Sequence, residues 1–125
     1  MIWPTEEDIT LLHDVAISET GGSFGLRDAS LLEAAVFAPL QSFGGDDLYQ
    51  TIEEKIARLS YGIVDNHAYI DGNKRTAALV METYLRGNGI SIIFKHGELA
   101  EIFLALANKS ASYEDLLLWI ITHKA

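Results

Sequence analysis

The stretch Asn66 to Ala77, NHAYIDGNKRTA, puts a histidine, a carboxylate, a Gly-Asn turn and two cations into twelve residues. It lies between two apolar patterns of helical period, so one helix ends and another begins around Asp71-Gly72-Asn73. The first turn of the second helix leaves backbone N–H groups unpaired and carries the positive end of its dipole, which stabilises an anion placed there. Gly72 lets the backbone come close to a ligand and accepts a positive φ, which helps successive N–H groups converge into a nest. Lys74 and Arg75 add fixed positive charge, the arginine as a planar fork matched to phosphate oxygens. His67 stands four residues before Asp71, and an imidazole with a pKa of about 6.5 suits removal of a proton from an attacking hydroxyl. Asp71 offers the hard oxygen that magnesium takes alongside substrate phosphates. These are the parts of a phosphoryl or nucleotidyl transfer site.

A plainer reading uses the same residues. Asp-Gly and Gly-Asn are ordinary turn dipeptides, Asn73 suits an N-cap, and Lys74 and Arg75 suit a solvated face. His67 taken singly suits a satisfied turn histidine. Competing motifs carry less. Gly21-Gly22-Ser23-Phe24-Gly25 fits G-x-S-x-G, but a nucleophile elbow follows a strand, and here a helix precedes it. His13, His67, His96 and His123 lack the spacing of a histidine metal site, and no Walker loop is present.

The elements that must position the motif are read from caps and periodicity. Thr5 with Asp8 opens a first helix carrying Ile9, Leu12 and Ala16 and ending near Gly21-Gly22. Asp28 or Ser30 caps a second, with Leu31, Leu32, Ala35 and Val36 before Pro39. Gly44-Gly45-Asp46-Asp47 reads as an exposed turn. From about Leu48 a long helix carries Ile52, Ile56, Leu59 and Ile63, and one further step of four reaches His67, which places that ring inward or in a cleft. A fourth helix bears Ala77, Ala78, Val80, Met81, Tyr84 and Leu85 and stops at Gly87-Asn88-Gly89. Ile90 to Phe94 is an extended connector, since a lone short strand makes no sheet. Leu99, Ile102, Phe103 and Leu106 mark a fifth helix, and Ser112 with Asp115 opens a sixth. The expected fold is all-α, about six helices with the motif loop between two core helices.

Length and composition fit one domain, residues 1–125, with a single core. Eighteen acidic against nine basic residues, net −9, oppose a polyanion, so direct nucleic-acid binding is not expected. The lack of cysteine excludes disulfides and thiolate metal sites and is compatible with a reducing compartment. The opening MIWPTEED is acidic where a signal peptide needs positive charge, and no apolar run approaches the roughly 18 residues of a membrane span. A soluble, cytoplasmic protein with no membrane partner is expected.

His67-Ala68-Tyr69-Ile70-Asp71-Gly72-Asn73-Lys74-Arg75 resembles the signature H-x-F-x-[DE]-x-N-K-R of the death-on-curing (Doc) toxins, a branch of the Fic fold. The likeness extends to Gly21-Gly22 through Asp28, to Leu31 through Ala35, to Ala57 through Val64, to Thr76 through Leu79, and from Glu98-Leu99 through Trp119. The resemblance implies a Fic-like helical bundle and the toxin of a toxin–antitoxin pair. It implies ATP and magnesium as cofactors and the hydroxyl of a Ser or Thr as acceptor. In the Doc branch the target is a translation elongation factor (Tu-like), with arrest of translation and growth. Carried onto matching positions, His67 is the general base, Asp71 helps bind magnesium, and Gly72, Asn73, Lys74 and Arg75 hold phosphates.

The adenylylating branch reads H-P-F-x-[DE]-G-N-G-R-x-x-R, so Lys74 replaces its second glycine and Ala78 its second arginine. A lysine crowds the nest and loss of the arginine removes a phosphate clamp, which disfavours AMP transfer. Gly72 still fits that branch, so AMP transfer stays open as the alternative, beside a non-catalytic nucleotide or phosphate binding module. Ala68 for proline and Tyr69 for phenylalanine are milder, although a buried tyrosine hydroxyl needs a partner. The inhibitory pattern [ST]-x-x-x-E-[GN] is absent, because no glutamate here precedes Gly or Asn. Restraint would then come from an antitoxin chain that folds on binding.

Overall fold

Three of the helices open on one device. Thr5, Thr51 and Ser112 each accept the backbone N–H of the residue three positions on, and the carboxylates of Asp8, Glu54 and Asp115 return to the N–H of the cap. Each box satisfies two N–H groups that would otherwise lack partners. In the computed structural model, which describes residues 1–125, the helices are α1 (Glu6–Thr20), α2 (Ala29–Phe37), α3 (Ile52–Asn66), α4 (Asn73–Gly87), α5 (Glu98–Ala107) and α6 (Tyr113–His123). Asp28 caps α2 by accepting the Ser30 N–H at 3.0 Å.

α3 is the centre of the bundle. Its buried stripe, Ile56, Leu59 and Ile63, is wholly excluded from solvent. α2, α4, α5 and α6 all pack on it, α4 most extensively, and α1 lies across α4. From α4 come Ala77, Val80, Met81 and Leu85; from α6, Leu116 and Ile120; from α1, Ile9; all belong to one contiguous core. The interface between α3 and α4 therefore carries on directly into the loop that joins them, residues 67 to 72. No helix is long and apolar enough to cross a membrane.

Two segments differ from the sequence expectation. The Gly44-Gly45 turn is the tip of a hairpin, β1 (Ser42–Phe43) against β2 (Asp46–Asp47), antiparallel and exposed. Leu48 extends it by donating its N–H to the Gln41 carbonyl at 3.0 Å. α3 consequently starts at Ile52 rather than Leu48: the Thr51–Glu54 box, not the apolar periodicity, sets its first turn. Lys55 of α3 reaches back to Asp47 and to the Tyr49 carbonyl, which ties the hairpin down. Ile90 to Phe94 behaves as the expected connector, with Ile92 opposite Lys124 in a single bridge.

Thr51→Ala removes the cap of the central helix and is expected to lower unfolding stability by about 1 kcal/mol in urea titration. An unchanged midpoint and slope would mean that packing alone defines the start of α3.

Candidate active site

α3 stops at Asn66 because the next residue, His67, turns into the left-handed region (φ 53°, ψ 52°). A non-glycine residue there is uncommon, and here an arginine holds it. Arg27 donates Nε to the His67 carbonyl at 2.9 Å and Nη2 to the Asn66 carbonyl at 3.1 Å. A guanidinium at the C-terminus of α3 satisfies unpaired carbonyls and opposes the negative end of the dipole. The turn carries the His67 side chain off the buried stripe. Of the two expected placements, the cleft is the observed one: the ring is exposed, makes no hydrogen bond within the protein and lines the cleft.

The segment after His67 is anchored from both sides. Ala68 and Tyr69 are fully buried. The Ala68 carbonyl accepts the N–H groups of Arg27 (2.7 Å) and Asp28 (3.1 Å), and Ile70 donates to the Gly25 carbonyl at 3.1 Å. Thus the Gly21–Asp28 loop, formally a G-x-S-x-G match, is a backbone strap along the motif. Its Gly22 sits at φ +125°, and a Cβ there would lie 2.5 Å from Asp71 Oδ2. The Tyr69 hydroxyl shares a hydrogen bond of 2.7 Å with Thr10 of α1, which provides the partner its burial requires. Its ring stacks on His13 with centroids 3.9 Å apart.

Asn73, the first residue of α4, is buried and turns its carboxamide back on Tyr69, accepting that N–H at 3.0 Å and donating to that carbonyl at 2.9 Å. Its side chain is therefore committed to the loop, and any phosphate at this residue meets the main chain. Gly72 at φ 78° precedes it, and a Cβ there would lie 2.8 Å from Ile17. In the first turn, Thr76 is the first residue whose N–H finds a helical acceptor, the Gly72 carbonyl at 2.9 Å. The N–H groups of Asn73, Lys74 and Arg75 have no acceptor in the protein. They form the positive end of a 15-residue helix.

Asp71 is half-exposed at the mouth of the cleft. Its oxygens accept N–H groups from Ser23 (3.1 Å) and Gly72 (2.8 Å). Those two bonds, Ser23 first, hold its carboxyl below the usual range, with the charges of Arg75 and His13 adding to them and partial desolvation opposing them. Arg75 is not a free phosphate arm. Its guanidinium donates to the Thr20 hydroxyl and to the Gly21 carbonyl, and lies 3.8 Å from Asp71. Lys74 is exposed and makes no ion pair or hydrogen bond through its ammonium group. The cleft, about 440 Å³, is lined by His67, Ile70, the five residues from Asp71 to Arg75, Val64 of α3 and Ala107 of α5. Every residue named from the sequence as catalytic, phosphate-binding or metal-binding therefore lines one cleft, although the side chains of Asn73 and Arg75 are committed within the protein. His13, Thr10, Ser23 and Arg27 were not foreseen. His13 had a signal, one helical step of four from Ile9 on the buried face of α1, whereas Arg27 contacts only main-chain carbonyls that no side-chain pattern marks.

Asn73→Ala leaves a buried N–H and a buried carbonyl of Tyr69 unpaired and is expected to cost about 2–4 kcal/mol of stability. Chemical unfolding measures it, and a loss below about 0.5 kcal/mol would mean that the clamp is replaceable. Asp71, with its lowered pKa, contributes stability that is present above the ordinary carboxylate range and lost as pH falls through the folded value. The stability gap between the wild type and Asp71→Asn should thus be flat at neutral pH and close as pH drops below about 4. A gap independent of pH would show that ionisation of Asp71 plays no part.

Comparison with known proteins matches the model of the Fic/DOC family over residues 3–85. Toxin Doc of Mycolicibacterium smegmatis (strain ATCC 700084 / mc(2)155) is 38% identical over 86 residues, 69% of this chain. That match spans 64% of the relative, less than two thirds of its length. Protein kinase doc of Escherichia phage P1 is 29% identical over 106 residues, covering 85% of this chain and 82% of that protein. The family match takes in α1 to α3, the strap, the motif loop and most of α4, and so all the machinery of the cleft except Ala107: the chain belongs to the Fic/DOC family.

Proposed function

We propose that the chain is the toxin of a toxin–antitoxin pair and transfers the γ-phosphate of ATP to a Ser or Thr hydroxyl of a protein, with a translation elongation factor (Tu-like) as target. The carrying observation is the first turn of α4: three consecutive N–H groups without acceptors open on the same cleft as an uncommitted histidine. Such donors suit phosphate oxygens and cost no reorganisation when charge develops on them. Lys74, the unpaired cation, adds charge where the transferring group would sit. Arg75 contributes field from a fixed place, because its guanidinium is tied to the end of α1.

In this reading the His67 imidazole accepts the proton of the attacking hydroxyl. The hydroxyl oxygen forms a bond to the γ-phosphorus as the bond from that phosphorus to the bridging oxygen breaks, and ADP leaves. Magnesium fits the donor set: Asp71 is the one carboxylate lining the cleft, and no cluster of three or more acidic, histidine or cysteine residues forms a cage. Magnesium commonly binds through one or two carboxylates together with substrate phosphates, and it neutralises charge between them.

The kinase reading is preferred to AMP transfer on two positions. Lys74 puts a long side chain where the adenylylating pattern leaves the backbone bare. Ala78 lies one turn further along α4 and, in place of an arginine, lines an apolar recess of about 510 Å³ with Leu99, Phe103 and Leu104. The name of the phage relative, a protein kinase, supports the same choice. The antitoxin would be a segment that folds on this chain, since the chain lacks the inhibitory glutamate pattern. We propose further that residues 1–125 act as one domain, in the cytoplasm.

Purified protein with magnesium, a lysate as substrate pool and ATP labelled on the γ or the α phosphorus tests the reading. Label should reach protein from the γ position only and be lost in His67→Ala, while Lys74→Ala lowers transfer at least about ten-fold, or about 1.4 kcal/mol. Label from the α position would establish AMP transfer instead. Silence from both positions, with nucleotide still bound, would reduce the site to a binding module.

A further inference from the structure

The cradle stays open because one carbonyl is turned away from it. If α4 had begun one residue earlier in regular form, the Asp71 carbonyl would take the Arg75 N–H, four residues on. It accepts instead from His13 Nε2 at 2.7 Å. A carbonyl oxygen only accepts, so Nε2 carries the proton. The imidazole has little freedom to do otherwise: it is wholly buried in α1, its ring lies parallel to Tyr69 at 8°, and Nδ1 is 3.2 Å from Asp14. Gly72 is the next link, since a Cβ there would lie 3.6 Å from His13 Nε2 and closer still to Ile17.

We infer that His13 is a positioning residue for phosphate binding: it holds the Asp71 carbonyl toward α1 and so keeps the Arg75 N–H unpaired and free for an anion. The inference rests on the reading of the α4 N-terminus as the phosphate cradle. A histidine that merely fills the core would need only shape and a satisfied nitrogen. A histidine that holds the cradle open should be replaceable by another donor of similar reach, and by nothing apolar. Glutamine supplies such a donor, leucine removes it, and asparagine places an amide too far back along the side chain.

The first measurement is hydrogen exchange at the Arg75 amide, without ligand, in the wild type, His13→Gln and His13→Leu. The amide should exchange at similar rates in the wild type and His13→Gln. In His13→Leu it should be at least about ten-fold slower, as the released carbonyl pairs with it. Equal exchange in all three overturns the inference. The second is titration with pyrophosphate, followed by the amide shifts of Asn73, Lys74 and Arg75. The dissociation constant should rise at least about ten-fold in His13→Leu and stay within about two-fold of the wild type in His13→Gln. If His13→Leu does not fold, His13→Asn takes its place under the same expectations. Pyrophosphate bound equally well by all variants sinks the role of His13 alone. A wild type that binds no pyrophosphate sinks the cradle, and the role of His13 with it.

Discussion

The exchange of hydrogen bonds between the Asn73 carboxamide and the Tyr69 peptide is the constraint on which the site depends. A buried main-chain N–H and carbonyl outside regular structure must find partners, and one side chain provides both. That closure ties the last part of the loop to the first residue of α4, so Ile70, Asp71 and Gly72 span a fixed gap. The strap from Gly21 to Asp28 then pairs along the outside, and α1 adds Thr10 and His13. Removing the clamp would free Tyr69, and with it the stacking that holds His13 and the carbonyl that His13 turns aside.

The same closure leaves a chain of net charge −9 with a cluster of unpaired main-chain donors at one cleft. Four of its nine Lys and Arg side chains are spent elsewhere: Lys55 on Asp47, Arg86 on Glu82, Lys109 on Asp65 and Lys124 on Glu53. Arg27 and Arg75 are occupied largely by main-chain carbonyls. What remains in the cleft is Lys74 and the positive end of α4. Main-chain donors carry no net charge, so they attract an anion at contact distance without making the surface basic. Such an arrangement is compatible with the small, multiply charged phosphate we propose as ligand, while the acidic surface opposes long polyanions.

Much of this was legible from the sequence wherever the signal is local. Thr5 with Asp8, Ser112 with Asp115 and the Gly87-Asn88-Gly89 stop fix helix ends within a few residues, and the stripe through Ile56, Leu59 and Ile63 identifies the central helix. Where local signals compete, the reading slipped. Leu48 looked like the first apolar residue of α3, yet the Thr51–Glu54 box governs the start. Helical projection could not choose a direction for His67, because that residue has left the helical region. For Asn73 the sequence leaves open which group acts: its carboxamide turns back on Tyr69, four residues earlier, instead of capping α4, while its main-chain N–H stays without an acceptor. Arg27 is beyond reach of such signals, since its partners are carbonyls 39 and 40 residues away in sequence.

The departures of this chain from the family signatures fall into two physical kinds. Tyr69 in place of phenylalanine is a buried change, and the fold compensates it on the spot with Thr10 at hydrogen-bond distance. Burial also pushes the Tyr69 phenol pKa up, so the hydroxyl stays neutral and pairs without charge. Ala68 is fully buried too, and its carbonyl holds the strap. Lys74 and Ala78 are different. Neither has a compensating partner, and both face the cavities where a ligand would lie. A change that the core absorbs says little about chemistry, because the folded state has already cancelled it. A change left uncompensated at a cleft is felt by whatever enters, and for that reason the preference we propose for phosphate over AMP transfer rests on Lys74 and Ala78 rather than on the buried half of the motif.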